Sequence, residues 1–430
     1  MSNRPSATAD ETDYDVIVAG GGLAGTFAAI AAAREGARTA IFEQYGFLGG
    51  MATVAPVSLF MQYHVLAPDG SVPALARGLF EEMVNRLKAR GAILDAPFSF
   101  DDIVLRGVLD AMVDEASVGV LFHTFVFGAE LVDNCLRAIR WAGKEGERNT
   151  SARVFIDATG DGDLAHAAGS GFTYGRADGQ AQPMTPMFLI AGVDLSRLPN
   201  GIKGINPCLE AAHKCGQSDV ARVGCWVTPH PDLLLFNTTH IRNRSELNVL
   251  DVSRAEMEGR RQIMSVMAAL RRHVPGFEKA YIARAGAQIG VRETRHLLGR
   301  YTLTREDVLN GRQFEDGIAR SSFEIDIHPV SEGESKTNLQ LKPGVFYEVP
   351  YRCLLPTQGP ANVLVACRAL SATHEAHASV RIMPTLSIVG EAAGLAATRA
   401  LALDGNVAMV DGAALKAELL RRGIMGGFEQ

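Results

Sequence analysis

The segment Tyr14–Glu43, reading YDVIVAGGGLAGTFAAIAAAREGARTAIFE, constrains the fold of this chain more than any other stretch. Four apolar residues, Val16–Ala19, read as a buried parallel strand that runs straight into Gly20-x-Gly22-x-x-Gly25. An alanine-rich helix is expected from there to about Arg34, stopped by Gly36, and a second strand, Thr39–Phe42, ends at Glu43. Strand, glycine turn, helix and a second strand with an acidic end together make a unit that holds a dinucleotide. Gly20 permits the tight turn, Gly22 lets the backbone approach a pyrophosphate, and Gly25 lets helix and strand pack closely. The helix N-terminus offers unpaired N–H groups and the positive end of its dipole to the phosphates. Glu43, eighteen residues beyond Gly25, can accept hydrogen bonds from a ribose 2′-OH, and its charge disfavours the 2′-phosphate of NADP.

At 430 residues and 47% hydrophobic content the chain can bury one large core or two moderate ones. A net charge of −6 without a dense Lys/Arg run argues against a nucleic-acid or anionic-membrane surface. Residues 1–13 are polar with no apolar centre, so a solvated tail is expected and not a signal peptide. Ile388–Leu403 is apolar but is interrupted by Glu391 and Arg399 and is too short to span a bilayer. Cys135, Cys208, Cys215, Cys225, Cys353 and Cys367 show no paired spacing and are expected as free thiols. These features describe a soluble, cytoplasmic protein that works on a small molecule, with neither nucleic acid nor membrane as partner.

After Glu43 the stretch QYGFLGGMATVAP is too glycine-rich for a regular element and reads as a loop. Ala74–Arg90 and Asp101–Ala116 carry apolar residues at helical spacing. Val118–Arg140 alternates in short runs like an antiparallel meander, GKEGERNT reads as a polar turn, and Arg153–Gly160 reads as another buried strand with a glycine turn. From Phe172 to Pro343 the texture changes: Met187–Val193 and Leu233–Thr239 look extended, and Ser253–His273 is a charged helix. Asn362–Ala366 is then a buried-strand candidate, and Met383–Leu403 a long Gly/Ala-rich helix whose Pro384 suits a first turn. The expected architecture is α/β: a Rossmann-like, three-layer nucleotide domain (14–171 and 344–425) with a central parallel sheet and an antiparallel meander. An α+β substrate domain (172–343) is expected as an insertion into it, with 55–100 contributing to the substrate side.

Four separated motifs carry a resemblance. GGGLAG, Glu43–Thr53, IDATGDGDLA at Ile156–Ala165 and CRALSATHEAHASVRIMPT at Cys367–Thr385 together resemble the FAD-dependent oxidoreductase family, within the glutathione-reductase-type and fumarate-reductase-like flavoproteins. IGVRETR at Ile289–Arg295 is also similar to a family segment. The resemblance implies FAD as cofactor. It places Gly20, Gly22, Leu23, Ala24 and Gly25 at the pyrophosphate and Glu43 and Gln44 at the adenosine ribose. Gly49, Gly50, Met51, Ala52 and Thr53 fall beside the ribityl chain and ring. Ala158, Thr159, Gly160 and Asp163 fall where the chain crosses the adenosine and pyrophosphate, with Val126 near the adenine. The backbone N–H groups of Thr385 and Leu386 are candidate donors to the flavin pyrimidine, where a helix N-terminus stabilises the charge of reduced flavin. Gly390 and Gly394 read as close-packing positions, and Asp161 and Asp163 as turn and capping residues.

His374, Glu375, His377 and Arg381 precede that helix and would line the flavin face. Histidine exchanges a proton near neutral pH, whereas arginine stays charged and suits a carboxylate or carbonyl. His377-x-x-x-Arg381 is similar to the HGANR segment of fumarate-reductase-like flavoproteins, with Ala378-Ser379-Val380 in place of GAN. Arg292, Glu293 and Arg295 form a second polar group in which Arg292 and Glu293 could pair internally. His328 is a third candidate, ahead of His64, His230 and His240. No metal is expected, because no His/carboxylate spacing fits one. The preferred reading has His374, His377, Arg381 and Arg292 as catalytic residues of a hydride transfer between flavin N5 and a small organic substrate. The alternatives are a flavin monooxygenase, an FAD-binding RNA-modifying or partner protein, and a plain NAD dehydrogenase. No second GxGxxG is present, which points to a separate electron donor or acceptor.

Overall fold

The dinucleotide unit forms as the sequence predicts: β1 (Tyr14–Ala19), α1 (Leu23–Arg34) and β2 (Thr39–Phe42), with Gly36 in the left-handed region at φ +91° just past the helix. The computed structural model describes residues 13–428 apart from Pro199 and Glu332, so residues 1–12 of the expected tail lie outside the described residues. β3 (Gly119–Leu121), β4 (Phe125–Val132), β5 (Cys135–Gly143) and β6 (Gly146–Asp157) complete the main sheet together with the late strand Val363–Val365. Its parallel part runs β3–β2–β1–β6–(Val363–Val365), and β6 is long enough to join the antiparallel ladder β6–β5–β4 through its first half.

Period-two alternation along the strands assigns the faces. Val16, Val18, Val154 and Ile156 pack with α1 and the helix Met383–Leu401, whereas Ile17, Ala19 and Phe155 pack with Val126, Ile139 and Trp141 of the meander. Helices, parallel sheet and meander are the three layers. Two expectations are corrected here. Gly119–Leu121 does not open the meander; it enters the parallel sheet beside β2, because the preceding helix Asp102–Glu115 makes a βαβ crossover. The turn in GKEGERNT is confined to Lys144 and Glu145, since Gly146–Thr150 already belong to the exposed start of β6.

α1 and Met383–Leu401 cross at near-backbone contact. A Cβ on Gly390 would run into the Ala24 carbonyl oxygen, and one on Gly394 into that of Ala28. This matches the packing role expected of both glycines. Between β6 and Val363–Val365 in sequence lies a four-stranded antiparallel sheet, ordered Tyr281–Ala285, Phe188–Ala191, Leu234–Phe236, Cys225–Val227. The helix Val249–His273 shares the core of this sheet through Ile263, Val266, Met267 and Leu270. It starts a turn earlier than expected because the Asn248 side chain accepts the N–H groups of Leu250 and Asp251. Leu303, Val308, Ile318 and Tyr347 instead join the first core, alongside Met383–Leu401. All six cysteines are free thiols, and among the described residues no single helix is long and apolar enough to cross a membrane.

Candidate flavin site

The carboxyl ends of β1 and β6 and the antiparallel sheet border a solvent-connected cleft. One end is built from Gly20, Gly22, Leu23, Ala24, Glu43, Gln44, Val126 and the Ala158–Thr159–Gly160 turn, which is where ligands bind in open α/β sheets. The Glu43 carboxylate accepts the N–H groups of Gly21 (2.6 Å) and Tyr45 (2.8 Å); burial raises its pKa, and these backbone bonds oppose that. Asp157 shapes the neighbouring turn. Its Oδ1 accepts the Thr159 N–H (3.0 Å) and hydroxyl (2.7 Å), its Oδ2 accepts the Ala165 N–H (2.8 Å), and burial pushes its pKa up to about 6.

The loop after Gln44 is not wholly irregular. Gly49 and Gly50, at φ +108° and +55°, lead into a short helix, Met51–Val54. A Cβ on Gly50 would lie 2.8 Å from Gly22 Cα, so this glycine pair keeps the two loops in register beside the cleft. Thr53 does not line the cleft; its hydroxyl donates to the Leu48 carbonyl (2.8 Å) and so ties the loop, while Ala52 is buried beneath it. Gly25 is likewise behind the wall, and a Cβ there would strike the Gly20 carbonyl oxygen.

The far end of the cleft is lined by Met51, Arg292, His328, Arg381, Ile382, Met383 and Leu386. Thr385 is buried and does not line it, and the Leu386 N–H is spent on the Ile382 carbonyl (3.0 Å), so of the expected donors neither amide faces the cleft freely. The helix starts at Met383 as expected, ends two residues early at Leu401, and brings Met383 to the cleft.

His374 and His377 do not line the cleft, which corrects their expected place at a flavin face. Both sit on the inner face of a short helix, His374–Val380, capped by Thr373 and bent 89° from Met383–Leu401. They turn towards Glu293: His374 Nδ1 lies 2.7 Å from Glu293 Oε1, His296 Nε2 3.1 Å and His377 Nδ1 4.0 Å, while the Gln182 N–H donates to Oε2 at 2.9 Å. Burial opposes ionisation of Glu293, but the bonds from His296 and His374 outweigh it and hold the carboxyl well below its usual range. Glu293, His296 and His377 come close enough to share an ion, yet the His296 and His377 rings lie stacked, 18° apart, so their in-plane lone pairs run side by side instead of converging.

The RETR group is split three ways, and Arg292 and Glu293 do not pair. Arg292 donates to the Pro183 carbonyl (2.5 Å) and the Thr185 hydroxyl (2.6 Å), Glu293 faces the imidazoles, and Arg295 bonds Asp163 (2.7 Å). Asp161 and Asp163 do not cap a helix, contrary to expectation. Asp161 takes the Thr294 hydroxyl (2.7 Å) and the guanidinium of Arg368, a part-buried, cleft-lining arginine that no spacing signal marked out.

His328 is the histidine that does reach the cleft. Its Nδ1 lies 3.4 Å from His240 Nε2 and its Nε2 3.4 Å from Asp326 Oδ2. Burial and the nearby Arg292 pull both histidines down to about 4, so both are neutral at pH 7. Asp326 stays ionised because bonds from His328 and Lys336 outweigh its burial. His64 and His230 lie elsewhere, and His230 pairs with Asp101 at 2.8 Å.

The family profile described as FAD dependent oxidoreductase matches residues 15–419. No curated protein sequence matches the chain. Among solved structures it is similar to CabE, an aromatic hydroxylase from angucycline biosynthesis, with 14% identity, 67% of this chain and 54% of that one covered, and a TM-score of 0.41. It is similar too to the anhydrotetracycline hydroxylase OxyS from Streptomyces rimosus, with 14% identity, 96% and 65% covered, and a TM-score of 0.43. A geranylgeranyl bacteriochlorophyll reductase-like protein from Thermoplasma acidophilum shares 10% identity, with 96% and 84% covered and a TM-score of 0.44. The chain spans 54% and 65% of the lengths of the two hydroxylases. A glycine turn at the cleft, a buried carboxylate at the end of β2 and a second compartment beyond Gly50 fit a flavin dinucleotide, and with the profile match over most of its length the chain belongs to the FAD-dependent oxidoreductase family and uses FAD as cofactor.

Proposed function

We propose that the protein transfers a hydride between FAD and a small organic substrate bound at the Arg292–His328–Arg381 end of the cleft. The observation that carries this reading is a neutral histidine and two arginines lining one compartment beyond the dinucleotide cradle. Bound FAD supplies the hydride acceptor or donor, and the protein supplies position, charge and a proton path. Ionised Asp326 favours the His328 tautomer with hydrogen on Nε2, leaving Nδ1 as the base. The bond from His240 to that nitrogen is long at 3.4 Å, so a substrate proton can replace it. In the oxidative direction His328 takes a proton as hydride leaves carbon; in the reductive direction it returns one. Residues 172–343 then form the substrate side, joined by Val57, Leu59 and Met61 from 55–100, against a nucleotide domain of 14–171 and 344–425.

Anaerobic titration of the holoenzyme with alcohols, amines, hydroxy acids and reduced acyl compounds tests the reading by bleaching of the flavin band. His328→Gln should slow bleaching by about 10²-fold or more with flavin content unchanged. A flavin that dithionite bleaches and none of these donors does would sink it.

A further inference from the structure

No carboxylate among the described residues pairs directly with Arg292; ionised Asp326, which lines the same cleft, acts on it from beyond ion-pair distance. Among the described residues no carboxylate lies within ion-pair distance of Arg292 or of Arg381, although the chain forms many such pairs elsewhere. The acceptors that Arg292 does have are uncharged: the Pro183 carbonyl, the Thr185 hydroxyl and, at 3.4 Å, the Asn237 amide oxygen. Among the described residues Arg381 reaches only the Gln182 amide oxygen (3.4 Å) and the Asp326 carbonyl (3.3 Å), and its buried Nε has no partner there. Burial and the like charge of Arg381 lower the Arg292 pKa to about 9, against the opposing pull of Asp326. Two guanidiniums held this way, with Arg292 Nε and one Nη2 hydrogen unspent, form a seat for a planar anion.

The other wall of the compartment is apolar. Leu59 and Met187 pack in one cluster with Leu189 and Leu235, flanked by Val57 and Met61, and four of these residues line the cleft beside Arg292. Thr185, which fixes Arg292, is two residues from Met187 at the entry to the antiparallel sheet, so anion seat and apolar wall share one support.

We propose that the substrate is an organic carboxylate with an apolar body, its carboxylate bound by Arg292 with Arg381 and its body laid against Val57, Leu59, Met61 and Met187. The inference rests on the same compartment as the hydride-transfer reading, yet it concerns binding and is tested without turnover.

The holoenzyme is titrated with benzoate and hexanoate and with their neutral amides, benzamide and hexanamide, following the visible flavin band. At least one carboxylate should give a saturable shift, with its amide binding about tenfold or more weakly. Arg292→Met should weaken the carboxylate by about tenfold or more and leave the amide unchanged, and Arg292→Lys should restore part of the loss. Equal affinity for acid and amide, no saturable shift with either acid, or unchanged carboxylate binding in a flavin-loaded Arg292→Met variant would each overturn the proposal. The wild-type comparison stands even if that variant does not fold. Carboxylate selectivity without flavin reduction by any donor removes the hydride reading alone; reduction by neutral donors with no selectivity removes this one alone.

Discussion

His374 Nδ1 lies 2.7 Å from Glu293 Oε1 with both residues buried, at 8% and 0% exposure. This bond ties the helix that leads into Arg381 to the segment that carries Arg292, so one carboxylate sets the relative position of both cleft arginines. Glu293→Gln replaces one acceptor oxygen by an amide that opposes either an imidazole or the Gln182 N–H. A loss of about 2–4 kcal/mol is expected, read as a lowered thermal midpoint of the holoenzyme, together with weaker flavin retention. An unchanged midpoint would refute the hub.

What could be read along the chain and what could not follow from distance. Gly20, Gly22, Gly25 and Glu43 lie within one βαβ unit, where each residue's task is local and spacing encodes it. The Glu293–His374 bond spans 81 residues, so the histidines expected at the flavin instead serve a partner that spacing could not reveal. Arg368 and Asp161 meet across 207 residues, and His328 enters the cleft only because Ile325–Ile327 pairs with Thr337–Leu339. The short helix Met51–Val54 has no sequence signal, because four residues after two glycines carry no periodicity.

The neutral histidines make the fold acid-sensitive. His240 and His328 titrate at about 4 in the folded protein, below the roughly 6.5 of an unfolded chain. Above pH 6.5 neither state is protonated and their effect is fully favourable; below it the unfolded chain takes up protons that the folded one refuses. Denaturant midpoints should therefore fall as the pH drops from about 6.5 towards 4, and His240→Gln should flatten that slope. A slope identical in the variant would assign acid sensitivity elsewhere.

Two glycine-to-alanine changes should act in opposite directions. At Gly390 the added methyl meets the Ala24 carbonyl and must push α1 away, at a cost of about 1–3 kcal/mol or more. At Gly107, inside Asp102–Glu115, the same methyl meets nothing within 4 Å, so helix propensity alone should stabilise by about 0.5–1 kcal/mol. Thermal melts of the two variants decide both, and a Gly390→Ala protein as stable as wild type would contradict the close crossing.

Gly50→Ala probes the cofactor cradle. Its φ of +55° strains any side chain, and its Cβ would lie 2.8 Å from Gly22 Cα, where the two loops run side by side. The methyl should spread the loops and weaken flavin binding by about tenfold, a change of roughly 1.4 kcal/mol, measured as the flavin-to-protein absorbance ratio after dialysis. Full flavin retention would mean that the cofactor does not depend on this approach.

Glu391 interrupts the apolar helix Met383–Leu401 for a reason visible at its tip: Oε2 accepts the Leu79 N–H at 2.9 Å, in the first turn of Gly78–Lys88. Burial pushes this carboxyl up to about 7. A raised acid favours the folded state below the unfolded pKa of roughly 4.3, and that contribution is lost as the pH climbs through the folded value. Glu391→Gln keeps an acceptor for Leu79 and removes the ionisation. It should match wild type near pH 4 and exceed it by on the order of 3–4 kcal/mol at pH 8, read from denaturant midpoints at the two values. A variant that loses stability equally at both would show that the carboxylate, and not merely an acceptor oxygen, is needed at that helix start.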